Sequence, residues 1–285
     1  MPRIALFFSF FFLFHSLSAQ SQIDGIEKEL SQKYEAMNAA RSDSARMFLS
    51  DAFKAELKRS LYKTEAFEHP FSSLKMCTIT SPDKAFRVFN WNIPMNDGTH
   101  RYEALIMIPR AAQERELMDV IELKPIEKDL DRLENRSFRE GEWMPFLIYE
   151  IIPDKKEDQY ILLAWDGHDR ISNRKVIDVI TISSRSVRLG APVFKDGKST
   201  YKRVLFTYAE EVNMSLRYQE KEKRILFDHL APKDPRLEGQ FQFYGPDMSF
   251  DSYISDKGKW NLESDVEFLR KRQEKDKKFN DPRRK

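Results

Sequence analysis

From residue 76 to residue 262 the chain is cut into short β-prone runs, with turn-forming residues recurring about every 8–12 positions. That spacing restricts it to sheets whose strands pair with near neighbours in sequence. Met76–Thr80 is a short strand, and Ser81-Pro82-Asp83-Lys84 a turn in which proline presets φ. The clearest hairpin joins Phe86–Ile93 to Arg101–Ile108 through Asn96-Asp97-Gly98. Val120–Leu123 reads as a strand, and Ile126–Leu133 as a short helix or charged loop. Phe146–Ile152 and Tyr160–Trp165 flank Asp154-Lys155-Lys156-Glu157, and Val176–Ser183 follows. Lys195-Asp196-Gly197-Lys198 separates Val193-Phe194 from Tyr201–Thr207, and Glu220-Lys221-Glu222 separates Met214–Tyr218 from Arg224–Phe227. Phe227–Gly239 reads as a proline-punctuated loop leading into a strand with Phe241 and Phe243 on one face and Tyr244 on the other. Asp256-Lys257-Gly258-Lys259 makes the last turn. No strict repeat of propeller period is present.

Ahead of these strands the period changes. Ile23, Ile26, Leu30, Tyr34 and Met37 recur at spacings of three and four, which places them on one helical face. Asp43 or Ser44 starts a second helix that carries Phe48, Phe53, Leu57 and Leu61 toward a core. The expected fold is therefore mainly β (α+β). It is an antiparallel β meander, as a curled sheet, sandwich or barrel-like form, with N-terminal helices packed on it.

The extreme N-terminus has a different character. Met1-Pro2-Arg3 is followed by an apolar run from Ile4 to Leu17, rich in phenylalanine, and then by Leu17-Ser18-Ala19-Gln20 with a small residue at 19. A charged start, an apolar run and a small-residue exit are the parts of a cleavable secretory signal. Such a run rises about 21 Å as helix, short of the roughly 30 Å hydrocarbon core, although an uncleaved anchor would leave the same domain outside the cytoplasm. The expected organisation is a signal peptide at 1–19, helices at 20–75, an antiparallel β domain at 76–262 and a charged tail at 263–285. No transmembrane span is expected after signal cleavage.

Cys77 is the only cysteine, so no intramolecular disulfide and no cysteine-based metal cluster can form. The chain carries 48 Lys and Arg against 46 Asp and Glu. That near balance argues against nucleic acid, which needs a concentrated basic face. Arg270–Lys285 holds a local basic excess, read as a solvated tail.

Several segments resemble a family of uncharacterised exported proteins of Bacteroidota. They are Phe86-Arg87-Val88-Phe89-Asn90-Trp91-Asn92 with Asp97-Gly98-Thr99 and Tyr102, and Trp165-Asp166-Gly167 with Asn173-Arg174-Lys175. Met214-Ser215-Leu216-Arg217-Tyr218, Phe227-Asp228-His229-Leu230-Ala231-Pro232 and Gly239–Asp247 continue it. The resemblance covers most of residues 70–260. It implies export by a Gram-negative cell, to the periplasm or the extracellular side of its envelope. It brings no activity, ligand or catalytic residue.

Two polar clusters stand out. Trp165-Asp166-Gly167-His168-Asp169-Arg170 sets two carboxylates and an imidazole at a strand end, able to bind a ligand or to exchange protons; the plainer reading is an Asp-Gly turn at a loop tip. Asp228-His229 offers a general base, but neighbours in a strand point to opposite faces. Asp234 or Asp247 would then have to orient His229. His69, His100, His168 and His229 lack zinc-ligand spacing, and neither a nucleophile elbow nor a phosphate-binding glycine loop is present. No metal or cofactor is expected.

The aromatics Trp91, Trp165, Phe241, Phe243, Tyr244 and Trp260 read mainly as core, with Tyr244 and Trp260 the candidates for an exposed sugar-stacking surface. The sequence thus points to an exported, non-enzymatic cell-envelope protein that binds or scaffolds an envelope protein or glycan. The alternative is a hydrolase-like enzyme using His229 with a nearby Asp.

Overall fold

A computed structural model describes residues 5–110, 118–126, 132–183 and 186–266, with side chains from residue 22 onward. The side chains of the expected signal peptide, and the tail beyond residue 266, lie outside the described residues. Three helices come first: α1 (Ala5–Ala39), α2 (Asp43–Ser60) and the single turn α3 (Glu65–Glu68). Ile23, Leu30, Tyr34 and Met37 of α1 are buried, as are Phe53, Leu57 and Leu61. Phe48 is not. It is 73% exposed, because five positions before Phe53 is about 140° around the helix at 100° per residue. Ser50 takes the inward place instead and accepts a hydrogen bond from the Trp91 indole at 3.2 Å.

Three open antiparallel sheets follow, and no barrel closes. The first is β1 (Cys77–Thr80), β2 (Arg87–Pro94), β3 (His100–Pro109) and β4 (Met118–Glu122), in chain order. A small parallel pair, β5 (Lys124–Pro125) and β6 (Glu142–Trp143), leads to the second. That sheet holds β7 (Leu147–Pro153), β8 (Gln159–Asp166), β9 (Ser172–Ser183) and β10 (Ser186–Leu189), and β13 (Val204–Ala209) also pairs with β9. The third is a meander of β14 (Leu216–Gln219), β15 (Arg224–Pro232), β16 (Tyr244–Asp256) and β17 (Lys259–Glu263). It is extended by β11 (Phe194–Asp196), parallel to β17, and by β12 (Ser199–Tyr201).

Side-chain alternation turns these elements into four layers. Phe89, Trp91, Ile93, Leu105 and Met107 face the helices, while Val88, Tyr102, Ala104, Ile106 and Ile108 face the second sheet. There they meet Ile148, Tyr160, Leu162, Ala164, Val176 and Ile180. The other face of that sheet, with Ile161, Leu163, Ile177 and Val179, packs against Phe194, Ile225, Phe227, Tyr253 and Trp260 of the third. With both faces covered, β3 and β8 read as continuous apolar runs rather than as alternating half-buried strands.

Buried polar groups join the layers. Asn90, fully buried, donates to the Glu103 carbonyl at 2.8 Å and accepts the Ile148 N–H at 2.7 Å, satisfying backbone at the β7 bulge. The Arg87 guanidinium donates to the carbonyls of Ala66, Phe67 and Pro70, tying α3 and its exit to β2. Asp178 on β9 and Arg203, just before β13, form a fully buried ion pair at 3.0 Å. The same guanidinium donates to the carbonyls of Leu133 and Arg136.

Three segments depart from the sequence reading. Of the expected short helix or loop at 126–133, residues 127–131 lie outside the described residues, and Leu133–Asn135 is a 3-10 turn. The expected loop after Phe227 is strand as far as Pro232, since β16 supplies a partner. Phe241–Phe243 is a 3-10 turn, not strand, so these rings are 50% and 37% exposed rather than core. Trp260, by contrast, is buried, inside the third core with its indole donating to Asp154 at 3.2 Å.

Removing one partner of the buried pair strands the other charge. Asp178→Ala is therefore expected to lower unfolding free energy by about 3–5 kcal/mol in urea titrations, whereas Lys233→Ala, which opens the exposed Lys233–Glu211 bridge, changes it by less than about 1 kcal/mol.

Candidate functional site

The stacking of the first two sheets brings two loop tips together. One is the β2–β3 turn. The Asp97 carboxylate accepts the Thr99 N–H at 2.9 Å and its hydroxyl at 2.7 Å, and Gly98 adopts φ +83°, which suits glycine. This turn is tied to the start of α2, where Asp43 accepts the Asn96 N–H at 2.9 Å and Arg46 donates to the Pro94 carbonyl. The other tip is the loop between β8 and β9. Its Asp169 carboxylate accepts the N–H groups of Ile171 at 2.9 Å and Ser172 at 2.7 Å, and the Ser172 hydroxyl at 2.9 Å. Burial opposes ionisation there, yet these donors hold the Asp169 carboxyl below the usual carboxylate range.

Where the tips meet, a cleft of about 840 Å³ opens. Thr99, His100, Arg101, Tyr102 and Glu103 line one side and His168 and Asp169 another, with Met47, Pro125, Ile126 and Pro145 adding apolar wall. Its floor is closely fitted. The Tyr102 hydroxyl accepts the Gly167 N–H at 2.8 Å and hydrogen-bonds the Asp166 carboxylate. Burial, with Asp166 beside it, pushes that phenol far above its ordinary value, so it stays protonated. The Asn92 amide donates to His100 Nδ1 at 3.1 Å, and Trp165 meets the His100 ring edge-on at 5.3 Å. A Cβ on Gly167 would lie 2.4 Å from His100 Cδ2 and 2.8 Å from the Trp165 ring, so only glycine fits without movement.

Behind His168 stands Arg174, buried on β9 and opposite Asp166 in the strand register. Its Nη2 donates to His168 Nε2 at 2.8 Å and its Nε to the Thr207 hydroxyl at 3.2 Å. Of the sequence-selected loop residues, His168 and Asp169 line the cleft, whereas Asp166 is fully buried beneath it. His100, Arg101, Tyr102, Glu103 and Arg174 were not singled out. The β2–β3 and β8–β9 turns were each legible, but nothing local shows that two tips some 70 residues apart in sequence converge.

The second cluster lies on β15 and β16, and His229 does not line the cleft. Asp251 Oδ2 sits 2.8 Å from its Nδ1. Asp251 opposes Phe227 and so shares a face with His229, one diagonal step away. Between Asp228 and Leu230 the register skips over Asp247, Met248 and Ser249 of β16. Asp228 accepts the Ser215 N–H at 2.7 Å, and Asp234 pairs with Arg236 at 2.6 Å. Asp247 accepts the Ser249 N–H and hydroxyl, and acts on His229 through its charge. Tyr244 is half-buried and its hydroxyl accepts the Gly239 N–H at 3.0 Å. Among the described residues no group of three His, Cys, Asp or Glu is placed to hold a metal ion.

No protein-family model, curated protein or solved structure matches this chain.

Two outcomes follow from this geometry. Gly167→Ala is expected to cost about 1–3 kcal/mol of stability and to shift the His100 ring resonances, both read on the purified chain. The hydrogen bond from Asp251 raises the His229 pKa, against a smaller effect of burial and with help from the charges of Asp247 and Asp265. A raised folded value means that this contribution to stability is complete below the ordinary imidazole pKa of about 6.5 and is lost as pH rises through the folded value. Asp251→Asn should therefore bring the titration of His229, followed by NMR, back toward the ordinary value. Its effect on melting temperature should be larger at pH 5 than at pH 9.

Proposed function

We propose that this chain is an exported, non-enzymatic protein of a Gram-negative cell envelope that holds an envelope component, glycan or protein, in the cleft between the β2–β3 and β8–β9 tips. The observation that carries this reading is the cleft itself. It is concave, mixed in polarity and of a size usual for ligand sites, and its floor is rigidified by Tyr102, Gly167 and Asn92. Its imidazoles are held by Asn92 and Arg174, an arrangement that suits recognition better than proton exchange.

Support for export comes from the apolar start and from the resemblance to exported proteins. Cleavage after Ala19 would also keep every described α1 side chain that enters the core, the first being Ile23. Among the described residues no helix is long and apolar enough to cross a membrane.

The hydrolase reading has one observation behind it, the His229–Asp251 pair, which resembles a base with its orienting carboxylate. It takes second place because the pair stands apart from the cleft lining.

Photo-crosslinking in a Gram-negative host tests the proposal. The full chain, signal included, carries the crosslinker either at Thr99 in the cleft or at Lys223 in the β14–β15 turn. The exported product is expected to begin at Gln20 and to label a discrete envelope component from Thr99 only. Cytoplasmic retention, or equal labelling from the two positions, would contradict it.

A further inference from the structure

The cleft's charged groups are unequally committed. Glu103 is paired with Lys54 at 3.0 Å, with both side chains largely buried. Asp169 turns one oxygen to three internal donors, and the other lies 3.8 Å from His168. Asp166, beneath the floor, is opposed by Arg174 at 3.9 Å and hydrogen-bonded to Tyr102. Arg101 differs from all of these. It is exposed and lines the cleft, and it makes no hydrogen bond or ion pair among the described residues. A guanidinium left with its donors unspent in a concave site is matched by a carboxylate, which it can grip through two parallel hydrogen bonds.

The rest of the wall narrows the class further. Met47, Pro125, Ile126 and Pro145 offer apolar surface, and the His100 and Tyr102 rings lie near parallel, 25° apart, within the polar side. Apolar wall facing fixed hydrogen-bonding side chains suits a pyranose ring, which presents CH groups on its faces and hydroxyls around its edge. The volume suits a short oligosaccharide.

Resting on the reading of the cleft as the ligand site, we propose that its ligand is a carboxylate-bearing sugar, held by Arg101 at the acid group and by His100 and His168 at the hydroxyls. Both the carboxylate and the ring are required. A neutral glycan leaves the guanidinium unmatched, and a small dicarboxylate leaves the apolar wall uncovered.

The test is a titration of the full chain by calorimetry and NMR with trigalacturonate, maltotriose and glutarate. Trigalacturonate is expected to bind, shifting signals of residues 99–103 and 167–169. Arg101→Gln should weaken it at least about tenfold, Arg101→Lys less, and His229→Ala not at all. Maltotriose binding as tightly would overturn the requirement for an acid, and glutarate binding as tightly would overturn the sugar. Either result at these same residues would leave the cleft standing as a binding site. Failure of all three probes, or an unchanged affinity in Arg101→Gln, overturns the proposal, while the cleft itself is judged separately by labelling from Thr99.

Discussion

Everything in this molecule depends on two sheets being covered on both faces. An antiparallel sheet with one wet face tolerates polar residues at every second position. The first and second sheets have no such freedom, because helices and the third sheet close the outer faces and the two sheets close each other's inner ones. Even-numbered residues of β2, β3, β8 and β9 therefore meet in one core while their odd-numbered neighbours serve another. A one-residue slip in any of these strands would exchange the two sets. The few polar groups inside are consequently paired: Asn90 with two backbone partners, and Asp178 with Arg203.

The cleft is a consequence of that stacking. Tyr102 and Ala164 belong to the same inter-sheet core, so continuing β3 backward and β8 forward beyond it brings His100 and the Asp166–Asp169 loop to the same end of the layer. The hydroxyl of Tyr102 marks the boundary. Its ring is core, and its oxygen joins Asp166 and Gly167 below the cleft floor. The recognition surface is thus built on strand ends held by the most buried part of the protein, which is how a preorganised site is obtained from short turns.

Much of this was legible in the sequence. The Asn96-Asp97-Gly98 hairpin, the helical spacing from Ile23 to Met37 and the antiparallel meander all follow from local rules. The exceptions share a cause. Phe48 was assigned inward from its chemistry, although its angle on the helix puts it outside. Phe241 and Phe243 were read with a strand period where the chain takes a 3-10 turn, and Trp260 was read as exposed because nothing local shows the sheet that covers it. Asp251 was missed as the partner of His229 because the pairing depends on the register of β15 against β16 and on the residues skipped between them. His100 was visible as a lone histidine, but its meeting with Gly167 and Trp165 is a product of layer packing alone.

The central claim is the convergence of the two tips, and it is open to a direct distance measurement. Arg170 is exposed, and a Cβ on Gly98 would lie 3.1 Å from its Cγ. A spin label on Arg170→Cys, with Cys77→Ser removing the native thiol, should broaden the amide signals of Gly98, Thr99 and His100 while leaving those of the Glu220–Lys223 turn sharp. Unbroadened signals at Gly98–His100 would contradict the stacking, and with it the cleft.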